Sequence, residues 1–201
     1  MASEVDICNL SLGYLGDDAT VSSLDPPEGS AQADHCAKFY PIARDSLLEM
    51  HEWGFATRRI ALADLGSDWP QWAYAYAKPN DALKCLAVLD PEADDDLDPK
   101  PYLLEAQDDG SGLIYTNQEN AVLRYTTRVT DTTRFSPLFV ETLSWLLASK
   151  LGGPVLKGET GAAASRAAYK MFNTLIGQAS VSDSNQQHKR PEVQAAWITA
   201  R

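Results

Sequence analysis

Cysteine, histidine and methionine are scarce in this chain, with three of each in 201 residues. Cys8, Cys36 and Cys85 are odd in number and widely spaced. That excludes a disulfide framework and suits a reducing compartment, with each thiol serving as a small buried apolar group. His35, His51 and His188 come without any Cys-x-x-Cys pair, so a local zinc site cannot be assembled from neighbours in sequence. Long apolar runs are missing as well. Residues 1–16 have no basic start and no continuous hydrophobic stretch, which predicts neither a signal peptide nor a membrane span and places synthesis in a cytoplasm. Positive charge is short too: 17 Lys and Arg stand against 28 Asp and Glu, a net charge of −11. Tight, sequence-independent gripping of nucleic acid relies on clustered Lys and Arg and is excluded by that balance.

What is present is the profile of a folded protein, 44% hydrophobic and 22% charged. The order of patterns is helix, then sheet, then helix. Ser3 with Asp6 forms a capping-box pattern ahead of Val5, Cys8, Leu12 and Leu15, a helical stripe that Gly16 ends. A Pro, Gly and Ser-rich linker follows, and a second helix starts at Ser30. Its stripe is Ala33, Cys36, Tyr40, Ala43, Leu47, Met50 and Gly54, with Arg44, Asp45 and Glu49 off it and a kink or restart expected at Pro41. After Phe55 the period shortens. ATRRIALADL, WAYAYA, ALKCLAVL, YLLEAQ, GLIYT and AVLRYTTRV predict antiparallel strands, with Asp109-Gly110 a hairpin turn. Ser136-Pro137 opens a third helix, apolar around most of its circumference and therefore central, that Gly152-Gly153-Pro154 should stop. A last helix from Thr160 presents Ala164, Ala168, Met171, Leu175 and Ala179. The expected fold is α+β: a helical bundle of about four helices over 1–54 and 132–182, an inserted antiparallel β-sheet domain over 55–131, and an extended tail over 183–201. In that polar tail Trp197 and Ile198, beside Lys189 and Arg190, form a candidate partner-binding anchor.

Three motifs approach known chemistry and each fails at one position. His51-Glu52 opens the zinc-protease pattern, but Phe55 stands where the second histidine must lie four residues on. Asp94, Asp96, Asp98 and Glu105 fall at calcium-loop spacing, but Pro99 occupies the place of the turn glycine, so a solvated acidic loop is expected. Gly153 to Gly158 has phosphate-loop spacing, but Glu159 replaces the lysine. No Gly-x-Ser-x-Gly elbow is present. The residues imply no catalytic group, no metal and no cofactor.

The ordered motifs carry a resemblance. A first helix ends in Leu15-Gly16-Asp17, a helix reaches Arg44 and Trp53 with Phe55-Ala56 after it, and Tyr76 to Pro79 reads Tyr-x-x-Pro. Tyr125 with Arg128-Val129-Thr130 and the entry Phe135-Ser136-Pro137 follow. In this succession the chain, to about Gly153, resembles the tail tubular protein A family of short-tailed phages. The resemblance implies a virion structural protein, a head-to-tail adaptor assembled as a homo-oligomeric ring of roughly twelve copies. Its partners would be the portal and the tail nozzle or tube, with DNA passing through the channel without sequence-specific binding. Two alternatives remain at this point: a virion-associated cell-wall or polysaccharide hydrolase using two carboxylates, and a head-completion stopper of a long-tailed phage.

Overall fold

Ser3 starts the first helix as its spacing predicts. The computed structural model describes residues 2–93 and 96–186, and in it α1 spans Glu4–Tyr14. The Ser3 hydroxyl accepts from the Asp6 amide at 3.1 Å while the Asp6 carboxylate accepts from the Ser3 amide at 2.8 Å, which satisfies two amides that the helix leaves unpaired. Gly16, at φ +76°, closes it in a left-handed turn, with Asp17 N donating to Leu12 O and Gly16 N to Gly13 O. The linker that follows is pinned from α1, because the Asn9 side-chain amide bonds both backbone groups of Val21 at 2.7 and 2.9 Å.

Helix α2 spans Ala31–Met50 without interruption, so the restart expected at Pro41 does not occur. Pro41 is exposed, and Ala37, whose carbonyl loses its donor, is only half-buried, leaving that carbonyl within reach of water. The stripe of α2 also needs correction. Ala33, Cys36, Tyr40, Ala43 and Leu47 are buried, but Met50 is exposed and Arg44, expected off the stripe, is buried. Helix α3 spans Pro137–Leu156, capped by the Ser136 hydroxyl, which accepts from Phe139 N. It packs on α1, α2 and also α4, Gly158–Ser184. Removing the cap by Ser136→Ala should lower stability by about 1 kcal/mol in urea denaturation, with Ser136→Asp recovering most of it.

The Gly152-Gly153-Pro154 stop is overturned too: α3 continues to Leu156, and Lys157 and Gly158, both at φ +56°, make the turn. Gly152 serves packing instead. A Cβ there would lie 2.5 Å from Ser165 Oγ, and one at Gly161 would lie 2.6 Å from Gly152 O, so paired glycines let α3 and α4 cross nearly backbone to backbone. Consequently α4 begins two residues before the expected Thr160.

Residues 2–56 and Arg128–Ser184 form one compact unit and Thr57–Thr127 another. The break falls after the 3-10 turn Gly54–Ala56, which stays with the helices. The second unit holds six antiparallel strands in two three-stranded sheets. β1 (Thr57–Ala61), β6 (Val122–Thr127) and β3 (Ala82–Leu89) lie in the order β1-β6-β3. β2 (Tyr74–Ala77), β5 (Gly112–Thr116) and β4 (Tyr102–Ala106) lie in the order β2-β5-β4. The protein is therefore α+β, with four helices and two antiparallel sheets among the described residues. Tyr76 and Ile114 of one sheet meet Cys85, Val88, Leu123 and Tyr125 of the other in one core cluster. The opposite parity of the first sheet, Ala75, Leu113 and Tyr115, is covered by Trp72. The β4–β5 hairpin turns at Gly110, φ +83°, as Asp109-Gly110 predicts.

Candidate functional site

In the helical unit the residues from His51 to Phe55 are spent on packing. Trp53 is buried, and its indole Nε1 donates to Leu47 O at 2.8 Å. Its ring meets Phe139 edge-on at 5.0 Å, Phe55 meets Phe139 at 5.0 Å, and Phe135 meets Phe139 at 4.7 Å. His51 caps the end of α2 with its Nε2 3.4 Å from an Asp183 carboxylate oxygen, and that carboxylate also accepts from Gly54 N at 3.0 Å. Asp183 of α4 thus ties the end of one helix to the end of another. The His-Glu sequence is a helix terminus.

Arg44 anchors a polar cluster inside the same unit. Its guanidinium bonds Asp45 at 2.9 Å and lies 3.8 Å from Glu4 and 5.8 Å from the Tyr40 ring. Asp45 is shared, because its second oxygen accepts from Arg128 Nε at 2.8 Å. A buried arginine requires such partners, and the cluster joins α2 to the segment that enters α3. Burial, with Glu4 adding to it, pushes the Tyr40 hydroxyl up from its ordinary range and keeps it neutral. Beside it the buried Cys8 thiol is raised by its hydrogen bond with Cys36 and by burial, so it stays a thiol.

The acidic loop has an electrostatic partner within the strand unit. Arg59 of β1 stands directly across from Arg124 of β6, and facing like charges repel. Asp96 relieves them, at 2.5 Å from Arg59 Nη2 and 3.9 Å from Arg124 Nε, while Asp98 pairs with Lys100 at 2.6 Å. Asp94 lies outside the described residues. No group of three or more His, Cys, Asp or Glu able to hold a metal occurs among the described residues. The phosphate-loop spacing at Gly153 is absorbed into the last turn of α3. A surface depression on the strand unit is lined by Lys78, Pro79, Asn80 and the β4–β5 hairpin, with Glu105 at its edge.

What remains is surface. α4 is 27 residues long yet buries only Gly161, Ala168, Phe172 and Ala179, leaving Tyr169, Met171 and Val181 exposed. Of the expected small-residue face, Ala168 and Ala179 are buried and Met171 is not. Sequence reading missed this bare face because spacing within a helix does not record which neighbours reach it. The candidate anchor residues Lys189, Arg190, Trp197 and Ile198 lie outside the described residues. No helix among the described residues is long and apolar enough to cross a membrane. No protein-family model matches the chain, and no curated protein matches it significantly.

Several caps are ion-dependent. Hydrogen bonds from Ser3 hold the Asp6 carboxyl below 3.8, those from Ser22 hold Glu28 below 4.5, and those from Thr133 hold Asp131 below 3.8. Each carboxyl is more acidic folded than unfolded, so its contribution is full above the unfolded value and disappears as pH falls through the folded one. Stability should therefore decline as pH falls below the ordinary carboxylate range, and Asp6→Asn should flatten that decline in urea titrations at acid pH.

Proposed function

We propose that this protein is a virion structural protein, a head-to-tail adaptor whose copies form a ring between portal and tail nozzle and leave a conduit for DNA. The observation that carries the reading is α4: a helix of 27 residues, most of whose circumference the other described residues leave bare, has the form of an assembly element. Charge fits the role, because a wall with the chain's net −11 repels phosphates and lets DNA slide. The ordered motifs in which the chain resembles the tail tubular protein A family support the same reading. In this reading the functional contacts are surfaces, and Trp197 and Ile198, with Lys189 and Arg190, form an anchor onto the portal or a neighbouring subunit.

Mixing the purified protein with portal particles and imaging by electron microscopy tests the role. Added ring density at the portal mouth is expected, and its absence overturns the proposal. Truncation after Gln186 should weaken docking if the anchor acts as described, whereas unchanged docking removes the anchor. The cut must lie beyond Asp183, whose carboxylate holds Gly54.

A further inference from the structure

Two helical glycines, one in α1 and one in α4, have no close neighbour among the described residues. Gly152 and Gly161 are required where α3 and α4 cross, but an added Cβ at Gly13 of α1 or Gly177 of α4 would meet nothing within 4 Å. Glycine inside a helix is destabilising relative to alanine, so an exposed one with no neighbour points to close approach from outside. Gly177 lies on the bare side of α4, and Gly13 lies on the outer stripe of α1. That stripe is Asp6, Leu10 and Gly13, all exposed at helical spacing along a shallow apolar depression that Asn9 and Tyr14 complete.

The two surfaces differ in charge. From Thr160 to Ser182 there is no acidic residue, and Arg166 and Lys170 stand exposed among alanines and exposed apolar side chains. Residues 2–54 of the same unit carry ten acidic residues against Lys38 and Arg44, and Asp17 and Asp18 directly follow α1. A basic helix face with a glycine gap and a helix with a protruding leucine, flanked by the exposed Asp6 and Asp18, are complementary in sign and shape.

We propose that the outer face of α4 in one copy docks antiparallel on the outer stripe of α1 in a second copy of this chain, with Arg166 and Lys170 toward the exposed Asp18 in the turn after α1 and Leu10 seated at Gly177. The contact joins unlike surfaces, so it repeats head to tail and closes into a ring where the rotation allows. It rests on the adaptor reading for that closure, and names the subunit interface of the ring.

Site-directed cross-linking tests it in the full-length protein. One variant carries Leu10→Cys and a second carries Gly177→Cys, a position where a Cβ meets nothing; the native thiols are buried and do not compete. A short bismaleimide added to the mixture should give a dimer that neither variant gives alone. Joining Arg166→Glu and Lys170→Glu to Gly177→Cys should slow the linkage severalfold, as should about 0.5 M salt, which screens exposed charges beyond a few ångströms. In a separate variant, Gly177→Leu should leave thermal melting no lower yet reduce self-association at least tenfold in sedimentation. No linkage above that between Leu10→Cys and Leu103→Cys of the strand unit overturns the proposal, and so does linkage insensitive to both salt and charge reversal. Portal imaging separates the two readings. Ring density without the linkage removes this interface alone, and the linkage without ring density removes the adaptor role alone.

Discussion

Replacing Phe139 with alanine lowers the stability of the helical unit by about 3–5 kcal/mol. Phe139 is fully buried on α3 and is met by three rings, Trp53, Phe55 and Phe135, at 4.7–5.0 Å. Aromatic pairs in edge-on geometry add to area burial, and the residues that would have to collapse into the gap are themselves fixed. Trp53 is held by its indole hydrogen bond to Leu47 O, and the Arg134 guanidinium donates to the Phe55 carbonyl. Little of the cavity can close. Phe139→Leu keeps most of the volume and should cost about half as much or less. Urea denaturation followed by tryptophan fluorescence, which Trp53 reports, measures both, and a loss below about 1 kcal/mol for the alanine variant would mean that the cluster repacks.

The second large effect lies at the α3–α4 crossing. Gly161→Val is expected to destabilise the protein by about 3 kcal/mol or more, because the new Cβ would stand 2.6 Å from Gly152 O and 3.3 Å from Gly153 Cα. Both obstacles are backbone, so no rotamer change relieves them and the helices must separate. Helix propensity works in the opposite direction, since replacing glycine inside a helix normally gains up to about 1 kcal/mol. Gly177→Ala isolates that gain: its Cβ meets nothing, and the unassembled protein should become more stable by about 0.5–1 kcal/mol. Opposite signs at two glycines of one helix, read as melting temperatures, distinguish a glycine required for packing within the chain from one that is not.

These glycines also show where sequence reading ends. Gly152-Gly153-Pro154 has the composition of a helix stop, yet the helix runs through it, because what those positions satisfy is the approach of α4, fixed by residues nine or more places away. Arg44 is a similar case. A charged residue between apolar positions reads as solvent-facing, and only the convergence of Asp45, Glu4 and Tyr40 around it permits burial. The three failed motifs were legible as failures from single positions, Phe55, Pro99 and Glu159. Their actual employment was not, since the relief of Arg59 and Arg124 by Asp96 exists only when β1 pairs with β6.

By itself the sequence determined the local elements: the Ser3, Ser30 and Ser136 caps, the six strands, and the Asp109-Gly110 hairpin. These depend on neighbours within one or two turns of chain, where spacing and side-chain chemistry are sufficient. Tertiary structure alone decided that the strands divide into two sheets, that Pro41 sits where a helix tolerates it, and that the other described residues cover little of α4. Those outcomes depend on which surfaces are left over once distant segments have packed, and no periodicity within a segment records that.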